Sequence, residues 1–417
     1  MADLSGYTIE RGAPIEPTAE DDMGRFEASS AAGAAVPGRI KATPFVWRDP
    51  KTIPRRQWLY DRHFIRKYAT ATVAPGGLGK TSLVLVEALA MVTGRPLLGV
   101  RVAEPLRVWV WNGEDPREEI ERRLAAICLH YGITAEDIGD RLFIDSGREQ
   151  PLVIAQKLGE GVTVMVPVVD AITDELRARR IDVLMIDPFV SCHAVPENDN
   201  GAIDRVAKTW AGIAEACNCC VELVHHVRKA GAGQTAYTVE DARGGSALIG
   251  AVRSARVLNG MSVEEAGQAN VSSWDRLRFF RVDNGKANMA PPMERAKWFE
   301  LVSTGLGNDD AGGPEDLVGV VTPWTMPGAF DGIEVADLRA VQAAIAGGTW
   351  AANAQAGNWA GHAIGQVLGI NVDSPDGGKR IKTLLRTWIE NGALKIDRQP
   401  DTGKGRDRPM IVVGVPA

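Results

Sequence analysis

Between Thr70 and Leu83 the chain reads TATVAPGGLGKTSL. The glycines free the backbone to turn its N–H groups inward, and the residues that follow, Lys80 and Thr81, carry an ammonium and a hydroxyl. Together these are the parts of a phosphate cradle. The nucleotide-binding pattern G-x-x-x-x-G-K-[ST] opens on glycine, and here Ala74 takes that place. Alanine is tolerated where φ is negative, because Gly76, Gly77 and Gly79 make the tight part of the turn. The expected cradle is Ala74, Pro75, Gly76, Gly77, Leu78, Gly79, Lys80, Thr81 and Ser82. Lys80 would reach the β- and γ-phosphates, Thr81 would offer its hydroxyl to Mg2+, and the following helix would add positive potential at its N-terminus. A plain glycine-rich turn before a helix is the competing reading. G-K-T between an apolar β-rich run and a helical run argues for the nucleotide site. No Asn-Lys-x-Asp stretch is present to read guanine, so ATP is the expected nucleotide.

Two acids fit the same chemistry. RRIDVLMIDPF is an apolar strand closing on Asp187. A carboxylate at the C-terminal end of a parallel strand faces the ligand crevice, and there it would hold Mg2+ through water. Pro188 follows, so this strand brings no adjacent glutamate. LRVWVWNGEDPREEIERRL places Glu114 at the end of another strand, just before a helix. In RecA-like ATPases the glutamate that activates the attacking water stands on this neighbouring strand, which makes Glu114 the candidate base. The alternative is that Glu114 and Asp115 only cap the helix; Asp115 is expected to do so.

CVELVHHVRKAGAGQ is a buried strand ending in His225 and His226, followed by Arg228, Lys229 and a long glycine-rich loop. A polar group there could sense a γ-phosphate. In order, APGGLGKTS, GEDPREEIERRL, VLMIDPF, HHVRK and RGGSALIGAVRSAR make the chain, over about residues 45–300, resemble the RecA-like hexameric ATPases of plasmids and prophages, of the RepA-type replicative DNA helicase kind. That resemblance implies an ATP site between subunits of a ring and an arginine reaching across from the neighbour. Arg253 matches best, with Arg256 and Arg243 nearby. It favours His225 over His226 as the sensor, with His226 still open as a phosphate contact, and puts Arg228 and Lys229 against DNA in the central channel. Lys286, in RVDNGKANMAPP, resembles a second trans-acting cation; a solvated turn lysine is the equal alternative.

These residues need a scaffold. From Thr70 to about Trp324, apolar runs (ATATVA, LRVWVWN, RLFID, DVLMID, CVELVHH, VRSARVL, RLRFFRV, KWFELVS) alternate with helical patterns at 79–93, 116–131, 168–179 and 201–216. Such alternation predicts an α/β P-loop NTPase core of RecA-like form, with a mostly parallel sheet, helices on both faces, and an antiparallel extension at one edge. Residues 1–44 are expected to be a disordered extension, 45–325 the ATPase domain, and TPWTMPGAFDG a linker. Residues 332–417 read as three helices and two strands, a small winged-helix-like domain. From Lys379 to Arg408 it holds nine Lys or Arg against four acids, inside a chain of net charge −6. Lys379, Arg380, Lys382 and Arg386 on a helix, and Lys404, Arg406 and Arg408 on a wing, are candidate DNA contacts. A docking module for a partner protein is the alternative for this unit.

With 417 residues and 45% hydrophobic content, the chain can build two or three domains. It has no apolar run of bilayer length and no signal pattern, so a soluble cytoplasmic protein without membrane contact is expected. The CNCC cluster (Cys217, Cys219, Cys220) lacks a second ligand pair at zinc spacing and reads as small buried cysteines. The function expected from the whole is an ATP-dependent DNA motor, a ring-forming replicative-type helicase. The alternatives are a DNA-binding ATPase that remodels or loads partners without unwinding, and an ATP-gated regulator.

Overall fold

Runs such as VLMID and ATATVA have no polar face, and a strand of that kind persists only with cover on both sides. The structure, a computed structural model, supplies that cover. It describes residues 42–159, 161–228, 234, 236–242, 244–269, 271–291, 296–309, 313–400 and 407–417, leaving aside the side chains of 375, 376 and 400. The expected disorder of residues 1–44 therefore falls, up to residue 41, outside the described residues. Two compact units emerge, Met1–Pro54 and Arg55–Ala417. In the first, a 3-10 turn at Pro50–Thr52 is entered through Asp49, whose carboxylate accepts the Lys51 N–H at 3.0 Å.

The second unit runs β1 (Trp58–Tyr60), β2 (Phe64–Ile65), β3 (Ala69–Ala74), α1 (Lys80–Thr93), β4 (Val108–Asn112), α2 (Arg117–Tyr131), α3 (Ala135–Ile138) and β5 (Leu142–Ser146). A hairpin of β6 (Ala155–Leu158) and β7 (Gly161–Val164) precedes α4 (Val166–Ala178), β8 (Val183–Asp187), α5 (Asn200–Cys217) and β9 (Cys220–His226). Then come α6 (Gly245–Ala251), β10 (Ser254–Gly260), α7 (Val263–Gln268), β11 (Phe279–Ala287), β12 (Lys297–Gly305) and β13 (Leu317–Trp324). Among the described residues these build a nine-stranded sheet in the order β13-β12-β11-β10-β3-β9-β8-β4-β5. From β10 to β5 all pairings are parallel; from β10 to β13 they are antiparallel.

Side chains alternate between the two faces of each strand, and each face has its own core. On one, Ala71, Val73, Ile186 and Leu223 pack against α4, α5 and α6, through residues such as Leu176, Trp210 and Leu248. On the other, Val110, Met185, Val224 and Leu258 meet α1 and α2. From Leu83 to Val92 α1 is buried on every side because β13 and α2 cover the side that the sheet does not. Burying one large apolar side chain contributes about 1.5–3 kcal/mol, so these two layers dominate the stability of the scaffold. The cysteine cluster closes α5 and opens β9; Cys219 and Cys220 are buried, and burial pushes the Cys220 thiol up to about 12.

Two local expectations change. The β6–β7 hairpin and β13 were not anticipated, and β13 takes Thr322–Trp324 out of the expected linker. Pro323 does not prevent this, because β13 is the edge strand of its sheet, where proline is tolerated.

Beyond the sheet come α8 (Val335–Ala346), β14 (Trp350–Ala351), α9 (Ala360–Leu368), α10 (Pro375–Glu390), β15 (Leu394–Pro400) and β16 (Asp407–Val413). Their three strands pair in the order β14-β16-β15. Ser374 caps α10 by accepting the Gly377 N–H at 3.0 Å. The face spelled by Ile381, Leu384, Leu385 and Trp388 is buried, as its spacing predicts, against Val341, Ile345 and Ile364.

Candidate nucleotide site

Parallel register brings the strand ends together. Ala74 lies beside His226, and Asn112 lies beside both Asp187 and Ser146. The loop after β3 therefore opens at the C-terminal edge of the sheet, where α/β ligand crevices form. Ala74 closes β3 in extended conformation, which is why it needs no glycine. The positive φ values fall later, at Gly77 (75°) and Gly79 (90°), the latter capping α1.

The loop, the start of α1 and the neighbouring strand ends enclose a cleft of about 470 Å3. It is lined by Gly77, Gly79, Lys80, Thr81 and Ser82 on one side and by Glu114, Asp187 and His226 on the other. Lys80 is buried, and its ammonium donates to Pro75 O at 3.1 Å and lies 3.2 Å from His226 Nδ1. Burial lowers its pKa, against the opposing pull of the Asp187 and Glu114 carboxylates. Thr81 Oγ1 donates to Asp187 Oδ2 at 2.6 Å. Asp187 is itself buried, and burial raises its carboxyl above the usual range despite Thr81 and Lys80. Glu114 is exposed in the cleft, its Oε1 3.9 Å from His226 Nε2. A hydroxyl and a carboxylate beside a desolvated ammonium fit a polyphosphate with a hard divalent cation.

Some expected residues lie elsewhere. His225, preferred as the sensor, is turned away from the cleft. It is buried, 4.0 Å from Glu197, with its ring edge-on to Phe189. The correction follows from strand alternation: His226, not His225, faces Lys80. Arg256 is a core residue and not a free finger. Its guanidinium grips Glu87 of α1 with two bonds of 2.7 and 2.6 Å and donates to Thr72 Oγ1 at 2.7 Å. Asp115 does not cap α2; it pairs with Arg123 at 3.1 Å.

Arg253 is exposed at the N-terminal end of β10, where its N–H bonds Ala69 O. Since β10 runs parallel to β3, this is the end of the sheet away from its own phosphate loop. Lys286 sits beside it, donating to Ile249 O and, at 3.1 Å, to Gly250 O at the end of α6. Burial, then Arg253, lowers its pKa. Arg228 is exposed just past β9; Lys229 and Arg243 lie outside the described residues.

In the C-terminal unit Lys379 is exposed, whereas Arg380 is occupied by Ala329 O and Asp331 O at 3.0 and 2.8 Å. Lys382 sits 6.0 Å over the Trp359 ring, and Arg386 lies 3.9 Å from Glu390. Arg408 is exposed on β16; Lys404 and Arg406 lie outside the described residues.

The sequence reading missed Asn112, whose Oδ1 accepts the N–H groups of Glu114 and Asp115 at 2.9 and 2.7 Å and so shapes the turn carrying Glu114. A polar residue closing an apolar strand was the available signal. It also missed the far wall of the cleft, where Leu301 arrives from β12 and Leu317, Val318 and Gly319 from the unanticipated β13.

A mainly parallel sheet with helices on both faces, a glycine loop entering a helix, and a lysine, threonine and aspartate at its mouth define an α/β P-loop NTPase core. The AAA domain family model matches residues 34–232, a stretch that contains the cradle, Glu114, Asp187 and the histidine pair. The match indicates an ATPase domain of the P-loop type, which implies nucleotide binding. Among the described residues no helix is long and apolar enough to cross a membrane.

Proposed function

We propose that the protein is an ATP- and Mg2+-dependent motor on DNA, a ring-forming, RecA-like helicase of the hexameric kind. One observation carries this reading. His226 lies 3.2 Å from Lys80, and two residues later Arg228 is exposed where the sequence RKAGAG begins. A group that feels the γ-phosphate is thus almost continuous with one that can touch a DNA phosphate. The remote position of Arg253 supports action in trans, since it lies at the far end of the sheet from its own loop. In this reading Lys80 binds the β- and γ-phosphates, Thr81 and Asp187 hold Mg2+, Glu114 orients and deprotonates water, and Arg253 answers the transition-state charge of the neighbour's ATP.

The C-terminal order helix, strand, helix, helix, strand, strand, with a cationic α10 and the sequence DTGKGR between β15 and β16, supports a winged-helix-like DNA-binding domain over 332–417. The three-part organisation proposed is an extension, a motor core and this domain.

Strand displacement on a forked DNA substrate tests the proposal. Wild-type protein with ATP and Mg2+ should separate the strands, and Lys80→Ala should not. DNA-stimulated hydrolysis without displacement would instead make the chain a remodelling or loading ATPase.

A further inference from the structure

A second cavity lies between the β1–β2 turn, α1 and strands β10 to β12. It measures about 550 Å3, against about 470 Å3 for the nucleotide cleft, and among the described residues shares no lining residue with it. Its charged floor is closed on itself. Arg256 is taken by Glu87, and Lys297 pairs with Asp61 at 2.6 Å. His63 uses both ring nitrogens, on Ser254 Oγ at 2.9 Å and Glu222 Oε2 at 3.0 Å. Among the described lining residues one cation is left over. Arg62 lines the same cavity, is exposed, and pairs with no carboxylate among the described residues.

Leu98, Val100, Val282 and Phe299 give this cavity an apolar wall. Next to that wall, Tyr60 Oη and Asn284 Oδ1 are buried without a hydrogen-bond partner among the described residues. Orphaned polar atoms are costly, and both residues belong to the lining of this cavity. A large cavity with an apolar wall and a few convergent polar groups is the usual form of a small-molecule site.

We propose that this cavity binds a small amphipathic monoanion, an aliphatic or aromatic carboxylate or sulfonate. Its acid group pairs with Arg62, and its apolar body lies against Phe299, Leu98 and Val100. The neutralised floor rejects a second charge, and the surplus guanidinium rejects a cation. The site is separate from the nucleotide cleft, but Glu87 on its floor belongs to the helix that presents Lys80, so an occupant touches the same rigid element from the other side.

Fluorescence titration of the full chain with 8-anilinonaphthalene-1-sulfonate tests this. The expected result is saturable binding that sodium decanoate displaces and decylammonium does not. Arg62→Glu should weaken binding about tenfold or more, the scale of one charged hydrogen bond. Val100→Trp, which fills the wall, should do the same. Lys80→Ala and added ATP should leave the titration unchanged, which separates this cavity from the nucleotide cleft. Circular dichroism confirms that the variants are folded; Arg62 is exposed, so its replacement leaves the core intact. The proposal is overturned by absence of saturable binding, by binding indifferent to both substitutions, or by equal displacement with decylammonium. If no probe binds and Arg62→Glu instead alters self-association in sedimentation, the cavity is an interface between copies and the proposal also fails.

Discussion

Thr81 Oγ1 and Asp187 Oδ2 stand 2.6 Å apart, joined across 106 positions of sequence by a hydrogen bond from the hydroxyl to the carboxylate. One oxygen comes from the first turn of α1, the other from the end of β8. Their meeting gives the proposed Mg2+ two hard ligand groups at the mouth of the phosphate loop.

Replacing Asp187 with Asn should therefore separate stability from activity. Burial raises the Asp187 carboxyl above its ordinary value of 3.8. With a raised folded pKa, the ionised form destabilises the fold. That term is complete above the folded pKa and absent below the unfolded one. Without nucleotide or Mg2+, Asp187→Asn should melt at a higher temperature than wild type near pH 7. The gain should shrink as pH falls toward about 4. Mg2+-dependent turnover should fall in the same variant. Thermal melts across that range decide the matter; a lower melting temperature at neutral pH would contradict the buried-charge account.

Glu114→Gln should bind ATP and hydrolyse it about 10²–10⁴-fold more slowly, the usual loss of a positioned base. The motive is its exposed place in the cleft beside His226, together with Pro188 after Asp187. Nucleotide binding by calorimetry and phosphate release by a coupled assay should diverge. If both stay normal, Glu114 only shapes the turn.

Arg253→Ala should bind ATP and lose about 10³–10⁵ in turnover, as expected of a residue acting on the transition state. Mixing it with Lys80→Ala protein should restore part of the activity, because some interfaces then pair an intact loop with an intact arginine. Neither variant alone should hydrolyse at a comparable rate. No recovery at any mixing ratio would count against action in trans.

Arg256 predicts a different outcome. Removing one partner of a buried ion pair leaves an unanswered charge, so Arg256→Ala should cost about 3–5 kcal/mol in urea unfolding. Arg256→Met combined with Glu87→Leu should cost far less than the two single changes added together. Additive losses would mean that the pair does not act as a unit.

On the C-terminal unit, changing Lys379, Lys382 and Arg386 to Gln should weaken DNA binding by the full chain at all sequences alike. Each phosphate contact removed should flatten the slope of log K against log salt by about 0.9 on a duplex. An unchanged slope would send this face to the partner-docking reading.

Much of this arrangement could be read from the chain alone, for identifiable reasons. Strands buried on both faces are written as unbroken apolar runs, and the phosphate loop needs glycine at fixed places. β3, β8 and β9 were therefore visible. β13 was not, because Gly319 and Pro323 are loop signals in a sequence and become admissible only when the strand is known to be an edge. The choice between His225 and His226 depended on which face α1 covers. That is a property of the assembled sheet, since adjacent residues of one strand look in opposite directions. Arg256, in the sequence a candidate for the arginine reaching a neighbour's nucleotide, is instead held in the core. Its partner Glu87 is 169 positions away, and nothing local announces it.

In the proposed motor, Val227 would act as a short lever. Its N–H bonds Ala74 O, the first residue of the phosphate loop, and the next N–H, from Arg228, bonds Asp241 O. Adjacent peptide groups are thus clipped to two different segments, the nucleotide cradle on one side and the 3-10 turn Val239–Asp241 on the other. A rotation about a single residue can carry displacement from one to the other, without a relay of side chains that could slip or relax. Timing between the two ends would then be set by backbone stiffness, and lengthening the chain by one residue between Val227 and Arg228 would uncouple them while leaving each end intact.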